Sequence, residues 1–379
     1  MVEDSRERKK RINRLIKNSI KFSNEIAKLG DPYDAGDFLY SAAESLEELG
    51  YEFAVELYEH NIKLWNRLIE NYVMQAKLHE IAEIYLRIAD IYKEKLSDQK
   101  AQKDNVLKSI EYLTQEINLI QDFSENGNVD TRKLAQNYQN VAELYVKIGD
   151  YKNAILFYEG VVEFAKVYNY IDLISFSYQQ IASCHEELDE YNQSNNVILD
   201  AIDYFSDLYQ DFEEKGDCLA LAQVSQILKN LYKRIDNQDQ FIIYSKKESS
   251  AYIDLAESLE KKEEEFQKIA RYYRGAGLCY LDINNNLIES ASCFILAGNY
   301  SEKIEDYPEA AMNFIDAANV FKELSNYEMA YKHLIKAGDN FWKIEDYIQA
   351  TECYLNAYDI VIEGELEFNR FGIFNQIVQ

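Results

Sequence analysis

The sequence predicts an all-α protein: a right-handed α-solenoid of about 16 helices packed as antiparallel pairs. Three observations carry the prediction. In 379 residues there are only 2 Pro and 13 Gly. An all-β or doubly wound chain of this length spends many more of both on its turns. Hydrophobic residues make up 47% of the chain and charged residues 28%, which is enough apolar material for a core and too much for disorder. The third observation is internal repetition, since a fixed period of 20–50 residues is the signature of stacked helical units. At roughly 100–200 residues per compact domain, the length suggests two or three domains or an elongated array.

The repeat is clearest from Leu287 onward, where the period is 20. The units begin at Leu287, Tyr307, Tyr327 and Tyr347. Ala297, Ala317, Ala337 and Ala357 coincide in register; so do Phe294, Phe314, Leu334 and Tyr354, and so do Ile304, Leu324 and Ile344. Twenty residues make one helix of four to five turns and a short connector, which forces neighbours antiparallel. The Tyr that opens three of these units follows Asp306, Asn326 or Asp346, each able to cap a helix start.

Upstream the spacing is about 40. Tyr138, Val141, Ala142, Tyr145, Gly149-Asp150-Tyr151 and Ala154 recur as Tyr178, Ile181, Ala182, His185, Tyr191 and Ser194. Fifty-three residues earlier stand Tyr85, Ile88, Ala89 and Tyr92, followed by an insertion of about eight residues near Ser97–Asp104 before the next helix. Weaker copies are Leu228, Tyr232, Ile235 and Phe241, and Phe38, Ala42, Tyr51, Ala54 and Tyr58. Most of the 31 Tyr thus fall at positions between helices, where the ring fills space and the hydroxyl reaches water.

Punctuation by Gly, Asn and Asp divides the chain into segments. Residues 1–30 form a basic amphipathic helix, ended by Gly30 and Asp31-Pro32. Residues 31–130 carry N-terminal helical repeats, 131–262 the 40-residue repeats, 263–363 the 20-residue repeats, and 364–379 an apolar tail. Ser124–Asp130 is the hinge candidate. The charged run Leu259–Phe266 reads as a solvated helix end. The tail (Phe368, Phe371, Ile373, Phe374, Ile377, Val378) is expected to cap the last repeat, with self-association or a short docking motif as the rival reading.

The Tyr138–Phe157 pattern resembles the tetratricopeptide repeat, a helix–turn–helix unit, and this looser likeness covers most of the chain. Leu287–Glu363, with stretches such as Cys293–Leu324, resembles the helical repeats of soluble NSF attachment proteins. That resemblance implies a twisted sheet of antiparallel helices that embraces a helical bundle and recruits a partner ATPase in intracellular membrane traffic. The alternative is a tetratricopeptide scaffold or regulator unrelated to membrane fusion.

Charge narrows the partners. There are 67 Asp+Glu and 40 Lys+Arg, for a formal charge of −27. Such a chain is expected to favour basic protein surfaces, and not nucleic acid, whose binding needs a basic face. No apolar run reaches ~18 residues, the start is too charged for a signal peptide, and the five Cys lack framework spacing. A cytoplasmic location with reduced thiols is the expectation.

The charge is also uneven: residues 1–22 hold eight Lys/Arg and three Asp/Glu, so +5 there stands against −32 elsewhere. Lys10, Arg14, Lys17 and Lys21 form one helical stripe, and Ile12, Leu15, Ile16 and Ile20 another. This helix is expected to cap the first repeat, with contact to a partner or a membrane surface as the rival reading.

No Walker loop, dinucleotide fingerprint, zinc-protease or nucleophile-elbow motif occurs, and neither a cofactor nor a metal is expected. His185 takes the place of Tyr145, and Cys184-His185 point about 100° apart on a helix, so both read as packing residues. The protein is therefore expected to bind and not to catalyse. Tetratricopeptide arrays hold peptides on the surface of their first helices, which here carries Gln136, Gln139, Glu143 and Val146, then Gln179, Ser183 and Glu186. Gln136, Gln139, Glu143 and Gln179 are the candidate contacts for an extended peptide or helical bundle.

Overall fold

A computed structural model describes residues 5–29, 32–48, 55–124, 131–261, 265–283 and 286–366. All regular structure among them is helical. The helices are α1 (Ser5–Leu29), α2 (Pro32–Glu48), α3 (Val55–Met74), α4 (Leu78–Glu94), α5 (Gln99–Ser124), α6 (Thr131–Lys147), α7 (Tyr151–Tyr168), α8 (Ile171–Glu187), α9 (Tyr191–Lys215), α10 (Cys218–Arg234), α11 (Gln238–Glu260), α12 (Phe266–Leu281), α13 (Leu287–Lys303), α14 (Tyr307–Glu323), α15 (Tyr327–Lys343) and α16 (Tyr347–Glu363). Sixteen helices were expected and sixteen are described. The hinge candidate at 125–130, the middle of the charged run (262–264) and the tail from 367 lie outside the described residues.

The insertion near Ser97–Asp104 requires a correction. It is not a loop before the helix but its first turns: α5 begins at Gln99 and runs for 26 residues. Asp98 opens it by accepting from the Ala101 amide at 2.9 Å, and a run of Gln, Lys and Ala residues follows that favours helix.

The caps were legible. Asp306, Asn326 and Asp346 each accept a hydrogen bond from the amide three residues on, at 3.2–3.3 Å. Asp150, Asp217 and Asn237 do the same. The helix ends explain how so few Gly suffice. Left-handed residues close most of the described helices, and among the described residues Gly holds two of those positions, Gly149 and Gly216. Asn169, Asp189, Asp236, Glu305, Ser325, Glu345 and Glu365 take the same conformation at a cost of about 1–2 kcal/mol each.

Two compact units divide the chain at Ser194/Asn195, inside the first turn of α9. In the N-terminal unit, helices neighbouring in sequence pack together around two clusters. One joins α1–α4 through Ile16, Leu39, Leu57, Trp65 and Ile84, and the other joins α4–α7 through Ala82, Val106, Leu113, Leu134 and Val141. Gly36 permits the closest approach, because a Cβ there would fall on the Trp65 indole. Charged pairs then tie every second helix: Arg87 of α4 to Asp37 of α2 (2.6 Å), Lys147 of α6 to Asp90 of α4 (2.7 Å), and Arg132 of α6 to Asp172 of α8 (2.7 Å).

The C-terminal unit repeats the arrangement with shorter side chains. Ala297, Ala317, Ala337 and Ala357 are all fully buried, as the 20-residue register requires. Aromatic rings lie on helix glycines: Phe294 against Gly277, Phe314 against Gly298 and Tyr354 against Gly338. Arg274 of α12 bridges to Asp316 of α14 (2.9 Å), Lys336 of α15 to Glu302 of α13 (2.8 Å), and Lys322 of α14 to Glu363 of α16 (2.8 Å). Deeper, Lys229 of α10 pairs with Glu248 of α11 at 2.8 Å and with Asp282 at 3.1 Å.

Candidate protein-binding surface

A 17-residue helix packed on one side keeps an open stripe at i, i+3/4, i+7 and i+11. In α6, Leu134, Ala135, Val141, Ala142 and Leu144 go into the core. Gln136, Asn140, Glu143 and Lys147 stand on the opposite side. Gln136 donates to Asn140 Oδ1 at 3.3 Å, and Gln139 donates to Glu143 Oε1 at 2.8 Å. These bonds run along the helix and hold the amides in a row.

Between α4 and α6 this row borders a groove of about 460 Å³. Its floor is apolar, built from Ala82, Leu86, Leu113 and Leu144, and its walls carry His79, Glu83, Asn140, Glu143 and Lys147. Lys147–Asp90 crosses from α6 to α4 towards the helix C-termini. In the first turns, His79 Nδ1 lies 3.2 Å from Glu116 of α5, which also meets Lys133 at 3.7 Å. The walls are thus braced at both ends while the floor stays open.

Of the four inner-surface residues expected from sequence, Glu143 lines this groove. Gln136 and Gln139 flank it on α6. Gln179 holds the position of Gln139 on α8, where it donates to Ser175 Oγ at 3.2 Å. A second groove of about 410 Å³ lies between α2 and α4 over Trp65, lined by Asp37, Tyr40, Ser41, Arg87, Asp90 and Glu94. Arg87 stacks over the Tyr33 ring at 4.6 Å while it bonds Asp37. Sequence reasoning missed this one, although the signal was present. The 53-residue offset that aligns Tyr85 with Tyr138 also aligns Arg87 with Asn140, Asp90 with Glu143 and Glu94 with Lys147.

The α1 residues stand elsewhere. Lys10, Arg14, Lys17 and Lys21 are exposed along one stripe, and none of them lines either groove. Ile12 and Ile16 are buried in the α1–α4 cluster, with Ile20 packed against it, so the apolar stripe covers the first helices as a cap does. Leu15 is not part of that contact; it is 48% exposed.

Among the described residues, no three His, Cys, Asp or Glu side chains are grouped to hold a metal ion, and no helix is long and apolar enough to cross a membrane. His185 packs as its repeat position implies, with Nδ1 2.7 Å from Glu190. Burial pushes the Cys184 thiol up to about 11, helped by Glu187, which leaves little thiolate at neutral pH.

The described helices pack against their neighbours in sequence, as consecutive pairs. No family model matches the chain, and no curated protein matches it. Solved structures align only distantly. A signal-transduction ATPase with a tetratricopeptide repeat sensor from Pyrococcus horikoshii covers 96% of this chain and 51% of its own at 15% identity, with a TM-score of 0.38. The present chain therefore spans about half the length of that protein. The apo quorum sensor NprR from B. thuringiensis covers 93% and 99% at 12% identity, TM-score 0.28. The TPR2AB domain of yeast Sti1, in complex with a pHSP90, covers 79% and 99% at 16% identity, TM-score 0.23.

Proposed function

We propose that the protein is a non-catalytic, cytoplasmic interaction module, and that the groove between α4 and α6 holds an extended segment of a partner protein. The α4–α6 groove itself carries the reading: an apolar floor for side chains, with a rim of amides and carboxylates. Amides suit a peptide backbone, and Glu83 and Glu143, with Asp90 beside them, favour a segment bearing Lys or Arg. An overall charge of −27 would speed the encounter.

A photocrosslinking residue at Glu143 tests this, with the same residue at exposed Glu163 on α7 as the control. The expected outcome is a discrete partner adduct from position 143 that is lost when Glu83, on the opposite wall, is changed to Lys. Equal adducts from both positions would defeat the reading.

A narrower reading rests on the 20-residue units of α13–α16, whose likeness to soluble NSF attachment proteins would make the partner a helical bundle and add a partner ATPase in membrane traffic. Stimulation of such an ATPase by the full chain in the presence of the bundle is its measurement. Binding without stimulation would leave the general scaffold.

A further inference from the structure

We propose that two copies of this chain dock through α1 of one copy and α16 of the other. This does not depend on the α4–α6 groove.

The first observation is the basic face of α1. Lys10, Arg14, Lys17 and Lys21 are exposed, and none of them makes an ion pair among the described residues. Lys10 and Lys17 stand seven residues apart, as do Arg14 and Lys21, which is two helical turns or about 10 Å. Leu15 and Phe22, also seven apart, are 48% and 53% exposed. Capping the first helices accounts for the burial of Ile12 and Ile16. It leaves the basic stripe, Leu15 and most of Phe22 in solvent.

The second observation is that α16 has the same spacing with the opposite charge. Glu352 and Asp359 are exposed, stand seven residues apart and make no ion pair among the described residues. The helix contains neither Lys nor Arg. Ile348, Leu355 and Ile362, again seven apart, are 80%, 47% and 48% exposed. Glu352 follows Ile348 by four residues and Asp359 follows Leu355 by four, so the acidic and apolar stripes adjoin. The two carboxylates also border a cleft of about 380 Å³ between α14 and α16, floored by Ile315, Leu334 and Ile360. Such a floor suits the aliphatic stems of Lys and Arg.

The third observation selects a second copy as the occupant. Of the three grooves described, this one sets two unpaired carboxylates seven residues apart on a single helix. The α4–α6 groove takes Glu83 and Glu143 from different helices, and the rim between α2 and α4 carries Arg87. Each copy thus holds both halves of the contact, within a charge of +5 over residues 1–22 and −32 over the rest. Repulsion between two bodies of −27 is screened beyond about 8 Å at physiological salt, whereas touching stripes lie inside that distance. Because the two patches differ, the contact is heterologous, and a docked copy still offers one patch of each kind.

Sedimentation velocity of the full chain over a concentration series, at about 0.15 M salt, is the test. The sedimentation coefficient should rise with concentration, and added salt should reduce the rise. Arg14→Glu with Lys21→Glu, and separately Glu352→Lys with Asp359→Lys, should each weaken association about tenfold or more, because like charges then meet. Mixing the two variants sets an acidic α1 against a basic α16 and the reverse. The mixture should therefore associate where neither variant does alone, which also shows that both are folded. A single unchanging coefficient for the unaltered protein would overturn the proposal, as would association that survives either reversal or a mixture no better than its parts. A monomer that binds phosphatidylserine vesicles through Arg14 and Lys21 would assign the stripe to lipid instead.

Discussion

The stretch α4–α8 and the stretch α12–α16 use one architecture with different packing, and the difference explains which of them repeats strictly. In α4–α8, short helices of 17 or 18 residues are mixed with the 26-residue α5, and the core is filled by Ile, Leu, Val and Tyr. Gly160 is the helix glycine there, and a Cβ on it would meet the Tyr138 ring at 3.1 Å. In α12–α16 the helices are 16 or 17 residues long, and the corresponding approaches are 3.0 Å at Gly277, 2.7 Å at Gly298 and 2.4 Å at Gly338. Large side chains fill a space in several ways, so the register can drift. A ring resting on a backbone admits one residue type, so the period is kept.

Polar groups divide similarly. The cross-helix pairs of the N-terminal unit lie at the surface: Arg132 and Asp172 are 61% and 53% exposed. In the C-terminal unit Lys229 and Glu248 are 11% and 2% exposed, which makes their pairing obligatory. Lys229→Ala should therefore destabilise the C-terminal unit by about 3–5 kcal/mol in urea titration, because Glu248 is left charged and buried. Arg132→Ala should stay within about 1 kcal/mol. Lys229→Met with Glu248→Leu should recover most of the loss; a double variant no better than Lys229→Ala would refute the charge argument.

The glycine contrast comes next in size. Gly338→Ala should cost about 1–3 kcal/mol by overpacking against Tyr354, and Gly160→Ala clearly less. Combining Gly338→Ala with Tyr354→Leu should relieve part of the cost. Equal losses at the two glycines, measured by thermal unfolding, would break the comparison.

The smallest effect is one of pH. His333 of α15 lies beside the Phe314 and Phe321 rings, and neither ring nitrogen has a hydrogen-bond partner. Burial, then Lys336 and Lys332, lower its pKa from 6.5 to about 4. The folded value lies below the unfolded one, so the fold holds the neutral ring. Its contribution is complete above about pH 6.5 and is lost as pH falls towards 4, where the unfolded chain takes up a proton that the folded chain does not. The stability of His333→Leu should depend less on pH between 7 and 4.5 than that of the unaltered protein. Parallel curves would exclude His333 as the cause.

Much was legible in the residues themselves. The scarcity of Gly and Pro, the caps at Asp306, Asn326 and Asp346, and the buried Ala positions follow from local rules, because a cap or a 20-residue register is decided within one or two helical turns. The helical state of Gln99–Asp104 was misread because an insertion in a repeat looks the same whether it lengthens a loop or a helix. The α2–α4 groove was missed because its walls come from residues 50 apart, such as Asp37 and Arg87.

The amino-acid order by itself determined the helices, their number and which side of each is apolar, since those depend on neighbours three and four residues away. The tertiary structure decided what no single helix contains: the groove floored by Leu113 between α4 and α6, the enclosure of Lys229 by Glu248 and Asp282, and the seating of the Phe314 and Tyr354 rings on Gly298 and Gly338. Each needs side chains from two or three helices to converge, and that convergence is set by the distance at which backbones pack.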